Sequence, residues 1–323
     1  MSRFRFLVLA ALALALFVVP LGAYVRLSDA GLGCPDWPGC YGKLVGVPEH
    51  AGEQIEAARA FPDRPVEAAK AWKEMIHRYV AGTLGILIFA ICLLGWRRRP
   101  GVSAALAATI VFQALLGMWT VTLLLKPAIV TGHLLGGMTI VGLLTLLAIG
   151  ESRRHDFAHR PLAPRGALPL ALIALIALVM QIGLGGWVSS NYAALTCPDF
   201  PTCRGTWLPE MDFSHAFTVL RELGRTSEGG HLPLEATTAI HWTHRVGAVL
   251  VLLLTAGLIL RLWSAPAWRG WALALSLALA LQLSLGIANV LLSLPLAIAV
   301  AHNFGAALLL VSVVAINARL RSA

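Results

Sequence analysis

Glu74-Met75-Ile76-His77-Arg78 opens a long apolar run, Tyr79-Val80-Ala81-Gly82-Thr83-Leu84-Gly85-Ile86-Leu87-Ile88-Phe89-Ala90-Ile91-Cys92, and the block returns in the later part of the chain as His241-Trp242-Thr243-His244-Arg245. Such a run matches the ~20 residues that a helix needs to cross the hydrocarbon core of a bilayer. Its mouth carries a histidine followed by an arginine in both places. Working outward, the repeat extends over half the chain. Gly22-Ala23-Tyr24-Val25 leads into Cys34-Pro35-Asp36-Trp37-Pro38-Gly39-Cys40, and Gly185-Gly186-Trp187-Val188 leads into Cys197-Pro198-Asp199-Phe200-Pro201-Thr202-Cys203 at nearly the same offset. Gln113 with His133 recurs as Gln282 with His302, again at nearly that offset, and the interval from glutamine to histidine is identical in the two copies. Agreement over this span reads as an internal duplication.

Composition sets the solvent. Of 323 residues, 58% are hydrophobic and 13% charged, with a mean hydropathy of +0.77, against roughly 25% charged in a soluble domain. Apolar stretches at about 6–25, 75–96, 102–124, 128–149, 167–188, 238–260, 270–292 and 297–317 predict eight transmembrane helices. They lack the period-two alternation of a β-barrel, so the predicted fold class is an all-α polytopic membrane protein. The duplication divides it into two pseudo-symmetric four-helix bundles, an N-terminal half at 1–155 and a C-terminal half at 166–318. An even number of crossings per half makes the repeat parallel.

The net charge of +9 does not point to nucleic acid. Arg3, Arg5, Arg97, Arg98, Arg99, Arg153, Arg154, Arg160, Arg165, Arg261, Arg269, Arg319 and Arg321 fall on one side with only Glu151 and Asp156, a balance of +11, and the other side stands at −2. Short basic loops face the cytoplasm, which puts both termini there. Met1–Val19 runs on through Pro20 without a cleavage site and is read as the first helix. Two long loops, roughly 26–74 and 189–237, then lie outside.

His77, His133, His244 and His302 each sit near the start of a helix that runs inward from the outer face, so they share a depth of about 8–10 Å at 1.5 Å rise per residue. Ionisable groups within a membrane are costly unless paired and mark function. A neutral imidazole is a common axial ligand of haem iron, and no carboxylate or thiolate cluster of the kind zinc or di-iron sites use accompanies these four. Two facing pairs, and two haems, are expected. Arg78 and Arg245 have two readings, snorkelling at the interface and, the favoured one, meeting haem propionates, which suit a guanidinium. Glu74 lies one turn above His77, and the repeat replaces it with His241. The first half therefore reads as a reaction chamber with Glu74 as its acid–base group. The other half reads as a permanent cofactor site that His241 tunes. Cys34 with Cys40, and Cys197 with Cys203, are candidate disulfides in an oxidising compartment. For the first couple a redox role stands beside a structural one. Cys92 is read as a packing residue, and the loop histidines His50, His155, His159, His215 and His231 carry no signal.

With these residues in view the chain resembles the haem A synthase family over essentially its full length. The resemblance implies oxidation of the C8 methyl of haem O, the substrate, to the formyl group of haem A for cytochrome c oxidase. It implies His77 and His133 flanking the substrate, Glu74 as the catalytic carboxylate, and His244 and His302 holding haem b as an electron-transfer cofactor. It implies as partners haem O synthase, the cytochrome c oxidase assembly machinery and the lipid bilayer, here a bacterial inner membrane, with an electron acceptor still to be identified. Two rivals are a membrane b-type cytochrome exchanging electrons with quinone and a non-enzymatic haem carrier. The first is awkward because all four histidines lie toward one leaflet.

Overall fold

The computed structural model describes residues 2–153 and 162–321. Arg154, His155, Asp156, His159 and Arg160, and the expected boundary of the first half at 155, lie outside the described residues. Among the described residues the helices are α1 (Arg3–Leu27), α2 (Ala51–Ala60), α3 (Ala68–Gly95), α4 (Pro100–Thr122), α5 (Pro127–Arg153), α6 (Ala167–Ser190), α7 (Phe213–Ala216), α8 (Leu234–Trp263), α9 (Arg269–Leu291) and α10 (Leu296–Leu320). Eight of them, all but α2 and α7, are long and apolar enough to span a membrane. Their outer faces are greasy: Ile86 is 74% exposed and Leu260 73%. Only lipid accommodates such surfaces along whole helices.

Two spans are longer than hydropathy indicates. α3 starts at Ala68 and α8 at Leu234, ahead of the apolar runs at 75 and 238. The added turns, Ala68-Ala69-Lys70-Ala71-Trp72-Lys73 and Leu234-Glu235-Ala236-Thr237, contain good helix formers that are too polar for a hydropathy window.

The spanning helices of the first half pack as a ring, α1 on α3, α3 on α4, α4 on α5 and α5 back on α1. Those of the second half repeat it, α6 on α8, α8 on α9, α9 on α10 and α10 on α6. Contacts of α10 with α1 and α5, and of α5 with α6, join the rings. Each ring has its own apolar cluster. Val8, Ala11, Ala15, Ile88, Ile91, Leu106 and Leu144 fill the first, and Ala171, Leu258, Leu262, Leu275 and Val313 the second. Small residues let backbones approach closely where lipid and core are equally apolar.

α1, α4, α6 and α9 end in the same way. The residues after their C-caps take left-handed backbone: Asp29 (φ 53°), Leu124 and Leu125 (53° and 57°), Tyr192 (53°), and Ser293 and Leu294 (58° and 62°). A Schellman-type bond closes each cap, from Ala30 N–H to Val25 O, Leu125 to Thr120, Ala193 to Val188 and Leu294 to Asn289, at 2.7–3.0 Å. The chain thus comprises four helical hairpins with one shared cap.

Candidate haem sites

The hairpin cap fixes where each imidazole sits. Six residues before the four C-caps, Ser28, Leu123, Asn191 and Leu292, stand Gly22, Gly117, Gly185 and Gly286. A Cβ on any of them would meet a histidine ring: His77 at 3.0 Å, His133 at 3.2 Å, His244 at 3.2 Å and His302 at 3.1 Å, respectively. Each imidazole therefore lies against bare backbone of the other helix in its hairpin. Only glycine leaves room for this approach. His77 and His133 belong to the helix ring of the first half, and His244 and His302 to that of the second, so the four imidazoles fall two to a half.

In His77, His133 and His302 the Nδ1 atom is buried without a partner, while the residues as a whole remain half-buried. Buried polar atoms left unpaired are rare and call for an explanation. A ring seated on glycine, with one nitrogen inward and the rest of the residue accessible, fits an axial ligand of haem iron. Among the described residues no group of three or more His, Cys, Asp or Glu side chains gathers to hold a bare metal ion.

Above the rings lie the two disulfide loops. Cys34–Cys40 and Cys197–Cys203 are bonded, with Cα atoms 4.8 and 4.6 Å apart. The shape of each loop follows from its aspartate. Asp36 accepts from the N–H groups of Tyr41 (2.7 Å) and Gly42 (2.8 Å), and Asp199 from those of Arg204 (2.5 Å) and Gly205 (3.0 Å). Tyr41-Gly42 and Arg204-Gly205 have positive φ at both residues, 52° and 78°, then 57° and 78°, the type I′ geometry that closes tight hairpins. Asp199 lies in the exposed loop, and the Thr202 hydroxyl and the N–H groups of Gly205 and Arg204 bring its carboxyl down to about 2.

Arg78 and Arg245 tie these loops to the histidine helices. The Arg78 guanidinium donates to the carbonyls of Asp36 (3.0 Å), Pro38 (3.2 Å) and Gly39 (2.5 Å) and pairs with Glu74. Arg245 donates to Thr202 O (2.6 Å), Cys197 O (2.9 Å) and His241 Nε2 (3.2 Å). Both arginines, expected at propionates, here turn toward the loops, because each loop presents a nest of carbonyls directly over the helix. Glu74 is buried at 5% exposure and accepts from the Cys34 N–H at 3.0 Å. His241 holds the matching position and is equally buried at 5%. Cys92 is a buried free thiol whose Sγ lies 3.3 Å from Ser103 O.

A model of the COX15-CtaA family, described as cytochrome oxidase assembly protein, matches residues 5–314. The chain belongs to that family. A haem A synthase from Shewanella oneidensis is 44% identical over 309 residues, 95% of this chain and 93% of that protein. Haem A synthases from Alkalihalophilus pseudofirmus (29% identical, 79% of this chain, 74% of that protein) and Halalkalibacterium halodurans (27%, 75% and 70%) are also similar. In this family member the four histidines and both cysteine couples are visible in sequence, but the glycine seats and Gln181 are not. Their signal is Gln-x-x-x-Gly, which occurs as Gln113/Gly117, Gln181/Gly185 and Gln282/Gly286.

Proposed function

We propose that this chain is a haem A synthase of the inner membrane that oxidises the C8 methyl of haem O to the formyl group of haem A, and that its two halves divide the work. Conversion of methyl to formyl with oxygen from water releases four electrons and four protons, so an electron acceptor outside the chain completes the reaction. The halves are read as pseudo-symmetric four-helix bundles, consistent with their matching ring contacts and caps. Both termini are assigned to the cytoplasm from the arginine distribution.

His77 and His133 flank the substrate haem O in the first half. His244 and His302 hold haem b in the second. Bound there, haem b supplies one-electron redox chemistry beside the substrate site. Glu74 is the group that takes protons from the reacting carbon or from attacking water, since it is the carboxylate one turn above an iron-facing histidine. Arg78 holds Glu74 and gathers the disulfide loop over the chamber, which excludes bulk water, and with Arg245 it lends positive charge where propionates reach the outer surface. The Cys34–Cys40 loop touches Glu74 through the Cys34 N–H, so its redox state is coupled to the position of the carboxylate. Haem O synthase upstream and the cytochrome c oxidase assembly machinery downstream are the partners this activity requires.

The observation that carries the reading is the seating of four imidazoles on four glycines, two in each half. Incubating the purified protein with haem O and an electron acceptor, then extracting pigments, tests it. Haem A is expected, with haem b co-purifying; haem binding without haem A would leave a carrier or an electron relay.

A further inference from the structure

The four hairpins are alike in cap and glycine seat, but only three carry a glutamine one turn before the seat. Gln113 donates from Nε2 to His133 O at 2.7 Å. Gln181 Nε2 donates to His244 O at 2.9 Å and lies 3.0 Å from His244 Nδ1. Gln282 Nε2 lies 3.3 Å from His302 Nε2. All three amide oxygens are buried and unpartnered. Each lies against the glycine one turn beyond its histidine, Gly136, Gly247 or Gly305, where a Cβ would collide with it. The unit is therefore Gln-x-x-x-Gly on one helix and His-x-x-Gly on the next. In the first hairpin the same register reads Val18-x-x-x-Gly22 and His77-x-x-Val80. Val18 and Val80 both belong to the apolar cluster of the first half. This hairpin thus carries methyl groups at the two positions where the others carry an amide and a glycine.

We propose that Gln113, Gln181 and Gln282 are positioning residues for His133, His244 and His302, and that Val18 with Val80 makes His77 the single loosely held ligand, the one that yields when substrate enters and product leaves. The chemistry is that of a ligand's outer partner. An outer partner fixes a ligating ring and the helical turn that carries it. In all three hairpins the amide nitrogen faces the histidine, at the main-chain carbonyl of His133, at the carbonyl and ring of His244 and at the ring of His302, while the amide oxygen is wedged against the glycine one turn on. At the matching position beside His77 stands Val18, which offers no such hold. Two held ligands suit a resident cofactor. One held and one loose ligand suit a substrate that must leave. The inference rests on the assignment of haem O to the first half.

The test grafts the missing pair. The full-length V18Q/V80G protein in nanodiscs is loaded with haem b and haem O, and transfer of each pigment to excess apomyoglobin is followed. Removing or adding an outer partner changes metal-site affinity by roughly 10–100-fold, so haem O release is expected to slow at least about tenfold with haem b release unchanged. The reverse variant, Gln181→Met, keeps the side-chain volume. It should speed haem b release by a similar factor and shift the low-spin ferric EPR spectrum. Unchanged haem O release from a V18Q/V80G protein that retains haem b overturns the proposal. So does a Q181M protein whose haem b release and EPR spectrum match wild type, which decides the matter if the graft does not fold. Wild-type protein that takes up no haem O overturns both this inference and the functional reading, whereas normal uptake with unchanged release overturns this one alone.

Discussion

The two halves share their helices, caps, glycine seats, disulfide loops and loop-gripping arginine, and above the histidine they part company where the first sets Glu74 and the second His241. Glu74 in the first half accepts from both Arg78 and the Cys34 N–H; His241 in the second accepts from Arg245. Both stand four residues before an arginine that grips a disulfide loop, so the difference shows what a carboxylate adds. A carboxylate can hold a proton taken from a reacting carbon and shares it with its guanidinium partner. An imidazole already facing a guanidinium is a poor place to leave another positive charge. On the proposed reading the duplication separates binding, common to both halves, from proton transfer, which falls to the first.

The sharpest way to break this comparison is to erase the difference. Glu74→Gln keeps the side-chain length and an acceptor for the Cys34 N–H, and haem A formation is expected to fall by about 100-fold or more while both haems still load, in line with the 10²–10⁴ that a positioned acid–base group supplies. Pigment extraction measures it, and normal haem A output would remove Glu74 from the chemistry. Next in size is the removal of a ligand from the second half. His244→Ala or His302→Ala should lower haem b affinity by roughly 10–100-fold or more, since even an outer-sphere change has that effect. The pyridine haemochrome spectrum reports it, and full haem b occupancy in both variants would make the halves functionally interchangeable.

The disulfides sharpen the comparison further. Replacing either couple by serines opens a loop of separation 6, worth about 2 kcal/mol in a chain-entropy account. The thermal cost should be similar in both halves. Only C34S/C40S should also slow turnover, because the Cys34 N–H is bonded to Glu74. Equal turnover in the two double variants would reduce both bridges to staples. The smallest effect is acid titration of the second loop. The native Asp199 carboxyl titrates at about 2, below the ordinary ~3.9 of an aspartate, so its bonds to Arg204 and Gly205 favour the folded loop fully above pH ~4 and are lost as pH falls through about 2. Amide exchange at Gly205 should therefore stay slow to pH ~3 and accelerate below it. Acceleration already at pH ~4, the ordinary aspartate range, would show that the carboxyl is not held.

How much of this is legible in the chain depends on whether a feature is written twice. His77/His244, His133/His302 and the two Cys-Pro-Asp loops stand out because each has a duplicate at a near-constant offset. Gln181 has none, since its counterpart is Val18, and it becomes visible only when four hairpins instead of two halves are compared. Gly22, Gly117, Gly185 and Gly286 are hidden for another reason: among 30 glycines in a largely helical, apolar chain, a glycine that seats a ring looks like one that lets helices pack. The direction of Arg78 is illegible because it depends on the carbonyls of Asp36, Pro38 and Gly39, which belong to a loop far away along the chain, and the same holds for Arg245 with Cys197 and Thr202. Helix ends at Ala68 and Leu234 escape hydropathy because those turns stand in the aqueous layer, where polarity costs nothing.

The seat of every imidazole is supplied by the helix joined to it in the same hairpin. Contacts between chain neighbours close sooner than contacts between distant elements, so the pocket walls take shape pair by pair during insertion, before the rings meet along α5 and α10. A nascent chain emerging from the translocon would then already present a receptive face for its pigment, and assembly of the two rings would close around it instead of preceding it.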